Sequence, residues 1–115
     1  MRTLEQTDTV LTKDKELLRE IKQVIQRFLP EAPVLLYGSV ARGAGGPESD
    51  YDILVLTDAP ISIRQQVPIR NAIFDLELRR DMVVCLGFYC KTEWEQPPVC
   101  ASPFHENVQT EAIVL

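Results

Sequence analysis

Asp50 and Asp52 stand two residues apart at the mouth of an apolar run, Ile53-Leu54-Val55-Leu56. In a strand, residues i and i+2 project from one face, so the two carboxylates are expected side by side. Like charges that close repel, and such a pair is comfortable only where a cation neutralises it. Carboxylate oxygens completed by phosphate oxygens are a ligand set that Mg²⁺ prefers. A cation there would stabilise the charge that builds up on a phosphate under attack as pyrophosphate leaves. Separated from Asp50 by ten residues, Gly38-Ser39 follows a second apolar run, Val34-Leu35-Leu36-Tyr37. Gly38 has no Cβ, so backbone can approach a ligand closely there. Ser39 opens an expected helical turn whose amides and hydroxyl suit a phosphate oxygen, and Arg42, one turn on, brings a guanidinium to the same group. The Gly-rich segment 43–49 leaves room for a triphosphate, but GxxxxGK[ST] is absent, so this is not a P-loop.

Taken singly, a Gly-Ser after a strand is usually a turn, and an Asp-x-Asp at a strand edge is usually a solvated end. In this order and at this spacing they read as a nucleotide site. The stretch resembles the GSx10DxD motif of the DNA polymerase β-like nucleotidyltransferase superfamily, in particular its minimal nucleotidyltransferases, whose common form is GSxARG followed by SDxD. GSVARG at 38–43 and SDYD at 49–52 match that form. KTEWE at 91–95 and SPFHENVQTEAIVL at 102–115 are similar to the tail of one subgroup.

The resemblance implies a polymerase-β palm-like core in which Gly38 and Ser39 bind the triphosphate of ATP or another NTP, and Asp50 and Asp52 hold Mg²⁺. It also implies a third carboxylate on a later strand, acting as general base or second metal ligand. The run Met82–Tyr89 carries none, and the position where one is expected falls near Cys85. Asp81, at the entrance of that run and on the face of Cys85 by alternation, is the candidate third acid, with Glu77 the weaker one. The plainer reading of Asp81 is a charge that closes a helix or strand. The resemblance further implies transfer of a nucleoside monophosphate, AMP from ATP foremost, to a hydroxyl on a HEPN-type partner protein, the two forming a toxin–antitoxin pair. A second reading is an antitoxin that works by contact and keeps a vestigial nucleotide pocket. A third, an enzyme acting on a small molecule such as an aminoglycoside, asks for an acceptor pocket that so short a chain is poorly able to supply.

The elements that must position these residues are a mixed set. Leu17, Leu18, Ile21, Val24, Ile25, Phe28 and Leu29 recur at helical spacing after Thr12, the expected N-cap, and Pro30 marks the stop. Residues 1–11 read as a loose polar leader, leaving 12–115 as the domain. Strands are expected at 34–37, 51–56 and 82–89. A helix falls between Ser62 and Arg80, interrupted or delayed by Pro68, with Ile69, Ile73 and Leu76 its better-phased half. Glu93-Trp94 opens a loop through Pro97 and Pro98, Ser102-Pro103 starts a short helix over 104–110, and Ala112–Leu115 ends the chain as a strand. The class is α/β or α+β: a small mixed sheet with one layer of helices on one core.

Composition bounds the rest. The 115 residues, 45% hydrophobic and 25% charged, are those of an ordinary one-domain globular chain. A net charge of −5 offers no broad footprint for a duplex nucleic acid, and there is neither a run long enough to span a bilayer nor a signal peptide's apolar stretch. The cytoplasm is the expected location, with homo- or hetero-oligomers left open. Cys85, Cys90 and Cys100 form no metal-binding spacing and read as reduced thiols. His105, the one histidine, reads as structural, Trp94 as a packing anchor, and Arg79-Arg80 as a solvated helix end.

Overall fold

The computed structural model describes residues 1–46 and 50–115. Along the chain run β1 (Arg2–Thr3), α1 (Thr12–Phe28), β2 (Val34–Tyr37), α2 (Gly38–Ala41), β3 (Tyr51–Thr57), α3 (Ile63–Arg80), β4 (Val84–Cys90), α4 (Lys91–Trp94), α5 (Pro103–Glu111) and β5 (Ile113–Val114). Pro47, Glu48 and Ser49, the end of the expected Gly-rich loop and the first residue of SDYD, lie outside the described residues.

The apolar stripe of α1 buries Leu18, Ile21, Val24 and Ile25, while Phe28, counted with that stripe, is exposed. Thr12 opens this helix instead of capping it; the cap position is Leu11, with no side-chain bond. In α3 the expected interruption at Pro68 does not occur. Ser62 accepts from the Gln65 amide, and the Gln65 side chain accepts in return from the Ser62 amide, so the helix starts firmly there and runs through Pro68. Pro68 removes one amide in the second turn, on the exposed face of the helix. Ile69, Ile73 and Leu76 are its buried residues. After β4 the KTEW segment closes as the single turn α4, and Ser102 caps α5 by accepting from the His105 amide at 3.1 Å.

The sheet order is β1-β5-β2-β3-β4. β3 and β4 are parallel, joined over the sheet by α3, and β2 is antiparallel to both β3 and β5. Two expectations are corrected here. Helices cover both faces, not one. α1 and α3 close one face over Val34, Leu36, Ile53 and Val55, whereas Trp94, Val108 and Ala112 from α4, α5 and the segment after it close the other over Leu35 and Leu54. Because β2 and β3 are apolar on both sides, each side needs a lid. Residues 1–11 are no loose leader either. β1 pairs in parallel with β5, Arg2 opposite Ile113, and Leu4 and Val10 are buried in the α1/α3 core. Those two apolar side chains give the segment enough burial to dock, so it belongs to the folded unit.

Candidate active site

Three side chains form a row across the sheet on the α4/α5 face. Tyr37 of β2 lies opposite Asp52 of β3, and Asp52 lies opposite Cys85 of β4. Gly38 follows Tyr37 with φ +78°, in left-handed space, and a Cβ on it would stand 2.1 Å from Asp52 Oδ2. The glycine is thus required twice, by its dihedral and by the carboxylate pressed against it. Ser39 comes next in α2, whose first amides have no partner within the turn. Asp50, just before β3, is exposed, and its Oδ2 lies 3.6 Å from the Cys85 sulfur, which donates to it. The two acids are close enough to feel each other. Burial first, and then the charge of Asp50, push the Asp52 carboxyl above its usual range; Arg42 pulls it partly back, and Glu111 pushes it up again.

Arg42 closes α2, and its Nη1 donates to Glu111 Oε2 at the end of α5 at 2.8 Å. The turn is also held from behind by the N-terminal segment. Arg2 Nη2 donates to the carbonyls of Ala41 and Glu111, and Thr9 Oγ1 donates to Ala41 as well. Gly43, with φ +75°, leaves room for Thr9, whose Cβ would be 3.1 Å from an added one. Arg2, Thr9 and Glu111 escape sequence reasoning. They meet the turn from 32 to 69 positions away, and no local spacing signals that.

Neither candidate for a third acid lies in that row. Asp81 is the left-handed cap of α3, φ 50° and ψ 58°, and lies outside β4. It lines a cleft of about 620 Å³ together with Asp14, Asp50, Tyr51 and Arg80. The residue in register with Asp52 is Cys85. Glu77 is turned to structural use, its Oε2 accepting from the Val84 amide at 2.9 Å at the start of β4. In the same cleft the Tyr51 hydroxyl donates to Asp14, and burial with that bond pushes the phenol well above its ordinary range.

The nucleotidyltransferase domain family matches residues 18–109, which take in both motif halves. The chain belongs to this family. Two proteins of Methanocaldococcus jannaschii named as protein adenylyltransferases are similar to this nucleotidyltransferase. One is 31% identical over 74 residues, covering 64% of this chain and 76% of the relative; the other is 30% identical over 79 residues, covering 67% and 80%. A solved nucleotidyltransferase structure superimposes with a TM-score of 0.59 at 20% identity, covering 85% of this chain and 96% of that one, a likeness of fold.

A divalent cation fits the acids of this nucleotidyltransferase in a particular way. Among the described residues no group of three or more His, Cys, Asp or Glu side chains is placed to hold a metal. Asp50 and Asp52 are the side chains that would hold such a cation, and water and phosphate oxygens would have to complete its shell, as is common for Mg²⁺. The thiol of Cys85 adds no charge to that set. Burial, then the bond to Asp50, then the charges of Asp50, Asp52 and Glu77 push its pKa up and keep it protonated at neutral pH. The three cysteines are free thiols, and Trp94 is a buried packing anchor, 4.5 Å from the half-buried ring of His105. Among the described residues no helix is long and apolar enough to cross a membrane.

Proposed function

We propose that this nucleotidyltransferase transfers AMP from ATP, with Mg²⁺, to a hydroxyl on another protein. The carrying observation is the contact of Gly38 with Asp52, which fixes the phosphate-binding turn and the paired acids as one unit. In this reading Asp50 and Asp52 hold the cation, Gly38 and Ser39 orient the triphosphate, and Arg42 answers its charge from the Glu111 pairing. When bound, the cation supplies positive charge to the α-phosphate and to the departing pyrophosphate. A bond forms from the acceptor oxygen to the α-phosphorus, the bond to pyrophosphate breaks, and the hydroxyl proton passes to solvent. The names of the two relatives favour a protein as acceptor. The motif resemblance supports a HEPN-type partner and a toxin–antitoxin role in the cytoplasm.

A second reading rests on Cys85. With a protonated thiol opposite Asp52, transfer is slow, and the chain acts by binding its partner while the pocket is a remnant. Incubating the protein with Mg²⁺, α-labelled ATP and the product of the adjoining gene separates the two. Label on the partner that vanishes in Asp50→Asn/Asp52→Asn supports transfer. A nucleotide-independent complex that carries no label supports the second reading.

A further inference from the structure

Helix α3 has two apolar faces. One is buried, and on the other Ile63, Val67, Phe74 and Leu78 are exposed by 79%, 45%, 57% and 68%. At 3.6 residues per turn these four positions fall within an arc of about 60°, a stripe about 22 Å long. Four large apolar side chains in one straight seam differ from the scattered singles of an ordinary surface. The C-terminal end of α3 lies beside the cleft that Asp50 lines. Two residues beyond Leu78 the chain enters the cleft, whose lining includes Arg80, Asp50 and two more exposed apolar side chains, Leu11 and Val83.

Charge selects the occupant. By helical position Arg70 flanks the seam on one side and Arg64 on the other; Glu77 and Asp75 each stand about 20° further round, Glu77 with its carboxylate taken up by the Val84 amide, so the charges nearest the seam are the two arginines. Arg70 lies over the Phe88 ring at 5.3 Å and bonds Gln66; among the described residues neither it nor Arg64 forms an ion pair, although the chain as a whole carries −5. A two-fold pairing of α3 with its own copy would bring the two Arg70 side chains together at the dyad, where like charges repel. We propose that this face docks another protein through an amphipathic helix whose apolar seam is flanked by acidic residues. A partner lying along α3 would have one end near the cleft that Asp50 and Arg80 line. The choice of a protein occupant rests on the protein acceptor proposed above; the exposed seam does not.

The test uses two synthetic helical peptides with leucines at i, i+4, i+11 and i+15, one flanked by glutamates and the other by lysines, titrated into the ¹⁵N-labelled chain. The acidic peptide should shift the amides of residues 63–78 and bind at least ~10-fold more weakly to Phe74→Glu/Leu78→Glu and a few-fold more weakly to Arg64→Glu/Arg70→Glu, while the basic peptide does not bind. Since all four positions are exposed, these variants should keep the parent's melting curve. Equal binding of both peptides, or none, overturns the proposal, as does a concentration-dependent dimer that Phe74→Glu dissolves, which would make the occupant a second copy. A fluorescent ATP analogue in the same samples reads the nucleotide site separately: its failure to bind while the acidic peptide still docks would count against the proposed transfer and for the docking face.

Discussion

Strands β3 and β4 run in parallel register and turn the same face to the candidate site, yet they are built for different ends. β3 is central, flanked by β2 and β4, and buries Tyr51, Ile53 and Val55 under α1 and α3, so the Asp52 between them is held in place by its neighbours. β4 is the edge of the sheet, most of its residues are only partly buried, and where β3 offers a carboxylate it offers a thiol. An acid that must be aimed sits best on a strand locked from both sides. The edge strand tolerates change, and the third acid implied by the motif resemblance is absent from it.

The largest effect should come from removing the acid on the locked strand. Asp52→Asn should lower transfer or nucleotide–metal affinity by ~10²-fold or more. The folded protein resists ionising Asp52, since burial and Asp50 raise its pKa. At neutral pH the uncharged amide therefore relieves a repelled charge, and the melting temperature of the variant should not fall. A melt that drops with activity would mean that Asp52 is a packing residue, and the contrast with β4 would collapse.

Gly38→Ala comes next, because it tests whether that aim depends on the turn before α2. The added methyl meets Asp52 Oδ2 and the backbone is at φ +78°, so the substitution should cost about 1–3 kcal/mol of stability and most of the activity together. Chemical denaturation of this variant beside Ser39→Ala, which should lose affinity without losing stability, separates shape from chemistry.

Cys85→Asp turns the comparison round. If β4 lacks only the carboxylate, placing one opposite Asp52 should raise transfer by ~10-fold or more, whereas Cys85→Ala should change it little. With Asp50 close by, three clustered acids repel, so the gain should come with a lower melt that Mg²⁺ restores. No gain in Cys85→Asp would favour the reading in which the chain works by contact.

What was legible in the sequence follows the same division. The Gly-Ser turn, the paired acids and the strands expected at 34–37 and 51–56 announce themselves through spacing and apolar runs, because local geometry determines them; the second runs one residue further, to Thr57. The docking of residues 1–11 was missed because so short a polar stretch holds only Leu4, Val10 and a two-residue strand, and β5, its pairing partner, lies at the other end of the chain. The Arg42–Glu111 pair was missed for the same reason. Pro68 predicts a break or a late start because the proline penalty is local, while the Ser62–Gln65 cap and the buried half of α3 outweigh it. Helices on both faces were foreseeable: Leu35 and Leu54 are large apolar residues that alternate to the side away from α1 and α3, and they had to be covered.

The smallest effect reads the electrostatics of the row directly. Cys85 is exposed, but burial of its sulfur, its bond to Asp50 and the nearby carboxylates push its pKa up. The thiolate fraction at pH 8 is then below that of an ordinary cysteine, so iodoacetamide should modify Cys85 more slowly than a model thiol, with the rate climbing to a midpoint at higher pH. Asp50→Asn removes the charge and leaves only a weaker, neutral acceptor for the thiol proton, which moves that midpoint down and should speed modification at pH 8. It should not restore the model rate, because burial is the larger cause and remains. Peptide-resolved mass spectrometry distinguishes Cys85 from the buried Cys90 and the half-buried Cys100. If the rate does not respond to Asp50→Asn, the Cys85 thiol is not bonded to Asp50, and the account of Cys85 as part of this acidic cluster loses its basis.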